Sequence, residues 1–167
     1  MIGPADRFST FGLHYIAIMI HLERTNSDST DFQQLVAELD KDLRIRDGEE
    51  HAFFAQFNKI DSIKHVIVAY QNDEPVGCGA IKQYDEDTME VKRMFVPLAH
   101  RGQGIASQVL AGLEKWTKEL NYSKCILETG EKQPEAIRLY HKNNYTVIPN
   151  YGQYTDVASS VCFEKTL

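Results

Sequence analysis

The chain has 167 residues, 43% of them hydrophobic and 25% charged, with a formal net charge of -6. That length and balance suit one globular domain with a real core, and the acidity argues against broad nucleic-acid binding while favouring a cationic or amine-bearing partner. No apolar run approaches a membrane span, since the early apolar segment over 16–20 is interrupted by His21 and Glu23.

Residues 1–14 lack the basic start, long apolar centre and small-residue cleavage site of a secretory signal, so residues 1–15 read as an N-terminal extension and 16–167 as the domain of a cytoplasmic protein. Residues 16–22 read as a first strand. Ser29, Thr30 and Asp31 then offer helix-capping side chains, and Phe32, Leu35, Val36, Leu39 and Leu43 recur at helical spacing. Gly48 breaks that helix, and residues 49–60 support a second helical segment with Ala52, Phe53, Phe57 and Ile60 on one side. Residues 64–70 and 75–81 are apolar strand runs joined by a polar turn, which predicts a hairpin. Gly77 and Gly79 leave one face of its second strand bare for a close neighbour or ligand, or mark a bulge.

Residues 90–96 form a further strand with a hard stop at Pro97. A glycine turn, Arg101-Gly102-Gln103-Gly104-Ile105-Ala106, leads straight into a helix whose apolar face is Ile105, Val109, Leu110, Leu113, Trp116 and Leu120. The first turn of such a helix carries N–H groups without intrahelical partners at the positive end of the macrodipole, which makes an anion site. Residues 124–129 are a short buried strand, and a strand, helix and strand in that order imply a right-handed parallel crossover. A helix over 133–142, with Pro134 in its first turn, precedes an antiparallel pair, 145–148 and 157–165, around a 149–155 loop long enough to act as a lid. Cys78, Cys125 and Cys162 stand far apart in apolar runs and read as small buried hydrophobes, with no metal site in view.

Two familiar phosphate loops fit the glycine turn poorly. The Walker pattern needs Lys before Ser or Thr at the helix entry, and the dinucleotide pattern needs glycine where Ser107 stands. The turn instead resembles the hallmark of the GNAT superfamily of N-acetyltransferases: Arg or Gln, two residues, Gly, one residue, then Gly or Ala. Arg101, Gly104 and Ala106 fill it. The resemblance implies an α/β (α+β) single-domain fold, with a mixed, mostly antiparallel sheet of about seven strands, a central parallel pair and about four flanking helices. It covers residues 16 to 167.

What the resemblance implies for chemistry is an acetyl-CoA-dependent N-acetyltransferase acting on a primary amine of a small molecule or peptide, by direct attack in a ternary complex. Met94, Phe95 and Val96 match the strand end that meets the pantetheine arm. Arg101, Gly102, Gln103, Gly104, Ile105, Ala106 and Ser107 match the pyrophosphate loop, and Gln133 stands where the family usually has the Asn of the final helix. Tyr140 matches the position that donates a proton to the CoA sulfur. A phenol, with an unperturbed pKa near ~10, suits that task. An inward-packing aromatic is the alternative.

Glu90 is the candidate base, and alternation along the strand would put Glu90, Lys92, Met94 and Val96 on one face. The alternatives are an ion pair with Lys92 or Arg93, or a water relay. Glu128 is a second carboxylate able to face the cleft. The acceptor region implied by the resemblance carries Asp47, Glu49, Glu50, His51 and Asn58, together with Tyr151, Tyr154 and Phe163. Of these, Glu50, His51, Tyr151 and Tyr154, with Glu128, are the acceptor-binding candidates, carboxylates and Tyr rings being suited to an amine. An acyl-enzyme through Cys78 is unattractive, for the sequence places no basic cluster beside it. The competing function is a noncatalytic acyl-CoA-binding sensor or assembly subunit, which would keep the loop without needing Tyr140 or Glu90. A homodimer is compatible with the sequence.

Overall fold

A computed structural model of the chain describes residues 19–167. The expected extension over 1–15 and the beginning of the expected first strand lie outside the described residues. Seven strands form one sheet in the order β1-β2-β3-β4-β5-β7-β6. They are β1 (His21–Thr25), β2 (His65–Gln71), β3 (Glu74–Gln83), β4 (Thr88–Phe95), β5 (Lys124–Gly130), β6 (Thr146–Ile148) and β7 (Ser160–Thr166). The helices are α1 (Thr30–Asp47), α2 (His51–Ala55), α3 (Ile105–Glu119) and α4 (Pro134–Lys142).

All neighbours in the sheet run antiparallel except β4 and β5, the central parallel pair. The expected mixed sheet and crossover are therefore present. The expectation of about four flanking helices is corrected: among the described residues three full helices, α1, α3 and α4, flank the sheet, because the second helical segment, read over 49–60, shrinks to the single five-residue turn of α2 after a 3-10 turn at Gly48–Glu50. Asn58 to Ile60 lie past its end, where two adjoining aromatics, Phe54 and Phe57, dock as individual rings rather than as a helical stripe.

Each face of the sheet carries its own core. Ile67, Val76, Ile81, Met89, Val91, Leu127 and Phe163 pack with Ile105, Val109, Leu110 and Leu113 of α3 and with Tyr140 of α4. Val66, Val68, Cys78, Ala80 and Phe95 pack on the other face with Phe32, Leu35, Val36, Leu39 and Leu43 of α1, the apolar stripe legible in the sequence. Ser29 caps α1 by accepting the Phe32 N–H at 3.3 Å. A third cluster, Phe54, Tyr154 and Cys162, ties α2 to the loop before β7. The Gly77 backbone needs its bareness: a Cβ there would stand 2.8 Å from Ile105 Cγ2 and 3.3 Å from the Phe95 carbonyl oxygen.

Two irregularities create the site. First, β4 and β5 pair only from Thr88↔Lys124 to Glu90↔Ile126, although β5 continues along β7 to Gly130↔Ser160. Beyond Glu90 the parallel strands part. Second, β4 bulges: Ala80 faces Lys92 but Cys78 faces Phe95, so three steps on β4 span two on β3. Arg93 absorbs the extra residue at φ 59°, and its carbonyl accepts from Cys78 Sγ at 3.5 Å. Its guanidinium, only 2% exposed, is held by Asp40 of α1 at 2.5 Å.

The bulge overturns the expected common face for Glu90, Lys92, Met94 and Val96. Met89 and Val91 point to the α3 side, so Glu90 and Lys92 point to the α1 side. After the bulge Met94 and Val96 turn to the α3 side, where they crowd the bare positions of Gly79 and Gly77.

Candidate active site

A cleft of about 490 Å³ occupies the gap between β4 and β5 and runs to the entry of α3. Its phosphate-sized end is made by backbone. Gly102 and Gly104 adopt φ 78° and 75°, conformations that glycine takes without strain. They turn the chain so sharply that the N–H groups of Gly102 through Ser107 find no backbone acceptor among the described residues. Arg101 does not reach into this nest; its Nε donates to the Val96 carbonyl at 2.8 Å, bracing the loop against the strand end. The cleft wall adds two exposed cations a helical turn apart on α4, Arg138 and Lys142, which the sequence analysis missed. Their i, i+4 spacing on the last helix was the available signal.

The middle of the cleft is where the sheet opens. Met94, Phe95 and Val96 line it from β4, Gln133 from the start of α4, and Tyr140 from the α4 core. Tyr140 is 5% exposed and its hydroxyl makes no hydrogen bond among the described residues, yet it is not among the enclosed orphan atoms, so the oxygen opens on the cleft. Burial, with the Glu128 charge adding to it, pushes its pKa above the usual phenol value.

Across the sheet lies an acidic end. Glu90 and Ile126 are register partners, so Glu128, two residues on, shares the α1-side face with Glu90. Glu90 is committed: Lys92 Nζ stands 3.6 Å from Oε2, and the Tyr151 hydroxyl donates to Oε1 at 2.9 Å. Glu128 is engaged on one side only, where Ser160 Oγ donates to Oε1 at 2.6 Å. Burial lifts its pKa to about 7 despite that hydrogen bond and the nearby Lys92 charge, with Asp47 and Glu90 adding to the rise. Tyr154, 3% exposed, closes this end with Phe54.

Of the expected cofactor residues, Met94, Phe95, Val96, Arg101, Gly102, Gly104, Ile105, Ala106, Ser107 and Gln133 line the cleft, whereas Gln103 does not, its side chain accepting from Gln71 Nε2 at 3.3 Å. Glu90, Tyr140, Glu128 and Tyr154 also line it. Tyr151 stands behind the wall and acts on the cleft only through Glu90. Glu50 lies in a separate surface groove, accepting from Ser159 Oγ at 2.8 Å. His51 is off the wall too, with its Nδ1 enclosed and unpartnered among the described residues. Lys92 also lines the wall without having been a candidate, and so does Asp47 at the end of α1, which the sequence placed in the acceptor region but not among the binding candidates.

The profile of the Acetyltransferase (GNAT) family matches residues 26–145, well over half of the chain. The chain belongs to the GNAT family of acetyltransferases. An IAA acetyltransferase from Azospirillum brasilense is 36% identical over 102 residues, 60% of this chain and 67% of that protein. Among solved structures, a Klebsiella pneumoniae protein proposed to be an acyl-CoA N-acyltransferase superposes with a TM-score of 0.75 at 27% identity, covering 89% of this chain and 98% of its own. A GNAT acetyltransferase from Elizabethkingia anophelis, solved with acetyl-CoA bound, shares the fold with a TM-score of 0.65 at 18% identity over 89% of this chain and 98% of its own. Among the described residues of this GNAT chain, no helix is long and apolar enough to cross a membrane.

Proposed function

We propose that this GNAT protein transfers the acetyl group of acetyl-CoA to a primary amine of a small molecule or peptide by direct attack in a ternary complex. The observation that carries the reading is the parting of β4 from β5 after Glu90↔Ile126, with a nest of free amides at one end and a half-engaged carboxylate at the other. Acetyl-CoA supplies an acyl thioester, and the chain's residues do the rest. The amides of Gly102 to Ser107, at the positive end of α3, suit a pyrophosphate, and Arg138 and Lys142 add charge of the right sign. The β4 backbone from the bulge onward has no β5 partner, which frees main-chain groups around Met94 to polarise a carbonyl.

An amine must shed its proton before it can attack, and Glu128 is the better base than Glu90. Its second oxygen has no partner among the described residues and its pKa is near neutral, whereas Glu90 spends its charge on Lys92 and Tyr151. Tyr140, raised above its usual pKa, stays protonated at neutral pH and can give its proton to a departing thiolate. The two groups approach from opposite faces of the sheet, so acceptor and donor can enter from different sides and meet in the gap.

The test is thioester consumption with a panel of amines in wild type and Tyr140→Phe. The substitution should lower kcat by about 100-fold or more while leaving acetyl-CoA binding unchanged by calorimetry. Tight CoA binding with no turnover on any amine would favour a sensor instead.

A further inference from the structure

The end of α1 holds a charge that the fold alone does not explain. Asp47 is 8% exposed, lines the cleft, and among the described residues has neither a hydrogen bond nor an ion pair. It is also the last residue of α1, the helix end where the macrodipole disfavours an anion. His51, one turn on, and Lys132 and Arg46 attract it from a distance, but none of them pairs with it. Burial raises its pKa, with the Glu50 charge adding to the rise, and the distant cations do not offset it. Its oxygens are not among the enclosed orphan atoms, so they open on the cleft.

The ion pairs of the acidic end sharpen the point. Lys92 pairs with Glu90, which leaves Glu128 and Asp47 with no ion-pair partner among the described residues, and the Asp47 charge adds to the rise of the Glu128 pKa. Two unbalanced carboxylates on one apolar-walled cleft, with Phe54 and Tyr154 beside them, call for two positive centres joined by an aliphatic spacer.

We infer that the acceptor is a diamine, whose reacting amine lies at Glu128 and whose distal ammonium is held by Asp47. This rests on the acetyl-transfer reading for which amine reacts, while the binding part stands without it. Asp47 is thus a specificity residue, buried without a direct partner among the described residues of the free protein and paired when the ligand arrives.

The test compares putrescine with butylamine, in binding to the CoA-loaded protein by calorimetry and as acetyl acceptors, in wild type and Asp47→Asn. Wild type should prefer putrescine by about tenfold or more, and Asp47→Asn should remove the preference by weakening putrescine far more than butylamine. The ligand-free Asp47→Asn protein should also melt no lower than wild type, since it loses an unpaired buried charge. Equal affinity for the two amines in wild type, equal weakening of both by the substitution, or a lowered melting point would each overturn the inference. A putrescine preference without acetyl transfer to any amine would leave it standing and sink the proposed reaction.

Discussion

Glu128 shows how one side chain links pH to both activity and stability. Burial lifts its carboxyl from the ordinary 4.5 to about 7 in the folded chain, so the native state binds a proton that the unfolded state has already released over that interval. Stability from this group therefore falls as pH rises from about 4.5 to about 7, by on the order of 3 kcal/mol, and stays low above. Activity runs the opposite way, because only the carboxylate can accept a proton. We expect kcat/KM to climb through pH of about 7 and then level off. Glu128→Gln should erase that limb, lower turnover, and flatten the pH dependence of the urea midpoint between pH ~5 and pH ~8. Midpoints that fall equally in both proteins would place the titration elsewhere. Glu90, one register step away, is not interchangeable with it, since its two oxygens already meet Lys92 and Tyr151.

Among the elements, β3 and α3 meet through a bare stretch of backbone. Gly77 lets the first turn of α3 approach, with Ile105 Cγ2 and the Phe95 carbonyl oxygen both inside normal contact of a would-be Cβ. Ile105 is β-branched and stiff, and a carbonyl cannot swing away. Gly77→Ala should therefore cost about 1–3 kcal/mol in urea unfolding and, by pushing the α3 entry off the sheet, raise the KM for acetyl-CoA more than it lowers kcat. Unchanged KM with the full stability loss would show that the helix entry does not move with the strand. The bulge is the second element-level device. Arg93 reaches to Asp40, so the docking of α1, which ends in Asp47, and the kink of β4, which presents Met94, share one ion pair, enclosed on its arginine side and exposed on its carboxylate side. The proposed acceptor end and the proposed thioester end are in this way built on the same anchor.

For the molecule as a whole, the cleft is polarised: free amides with Arg138 and Lys142 at one end, Glu128 and Asp47 at the other. That polarity suits the proposed anionic donor and cationic acceptor, each at the complementary end of a single gap through the sheet. Because donor binding engages α3, α4 and both central strands, it should stabilise the whole domain. At a free concentration of 100 times Kd, CoA should raise the unfolding free energy by about 2.7 kcal/mol and the melting temperature by roughly 5–10 °C, whereas ATP or NAD at the same concentration should not. Scanning calorimetry with the three ligands checks this. Protection by all three alike would indicate a general phosphate site instead of a donor cleft.

The element order, the α1 and α3 stripes and the glycine turn were legible in the sequence because each rests on local rules: side-chain spacing, capping, and the conformational freedom of glycine at Gly104. The nest of free amides follows from that turn. The bulge at Arg93 was not legible, since nothing within β4 announces a residue at φ 59°; it comes from matching β3 on one side and α1 on the other. For the same reason alternation misassigned the face of Met94, and the apolar content of residues 49–60 suggested a longer helix than the aromatic packing around Tyr154 allows. Which carboxylate is free was likewise decided by partners distant in sequence, Tyr151 for Glu90 and Ser160 for Glu128. Periodicity along a chain reports what faces a neighbour, but only the folded sheet determines which neighbour is there, and so which charges are left for a ligand.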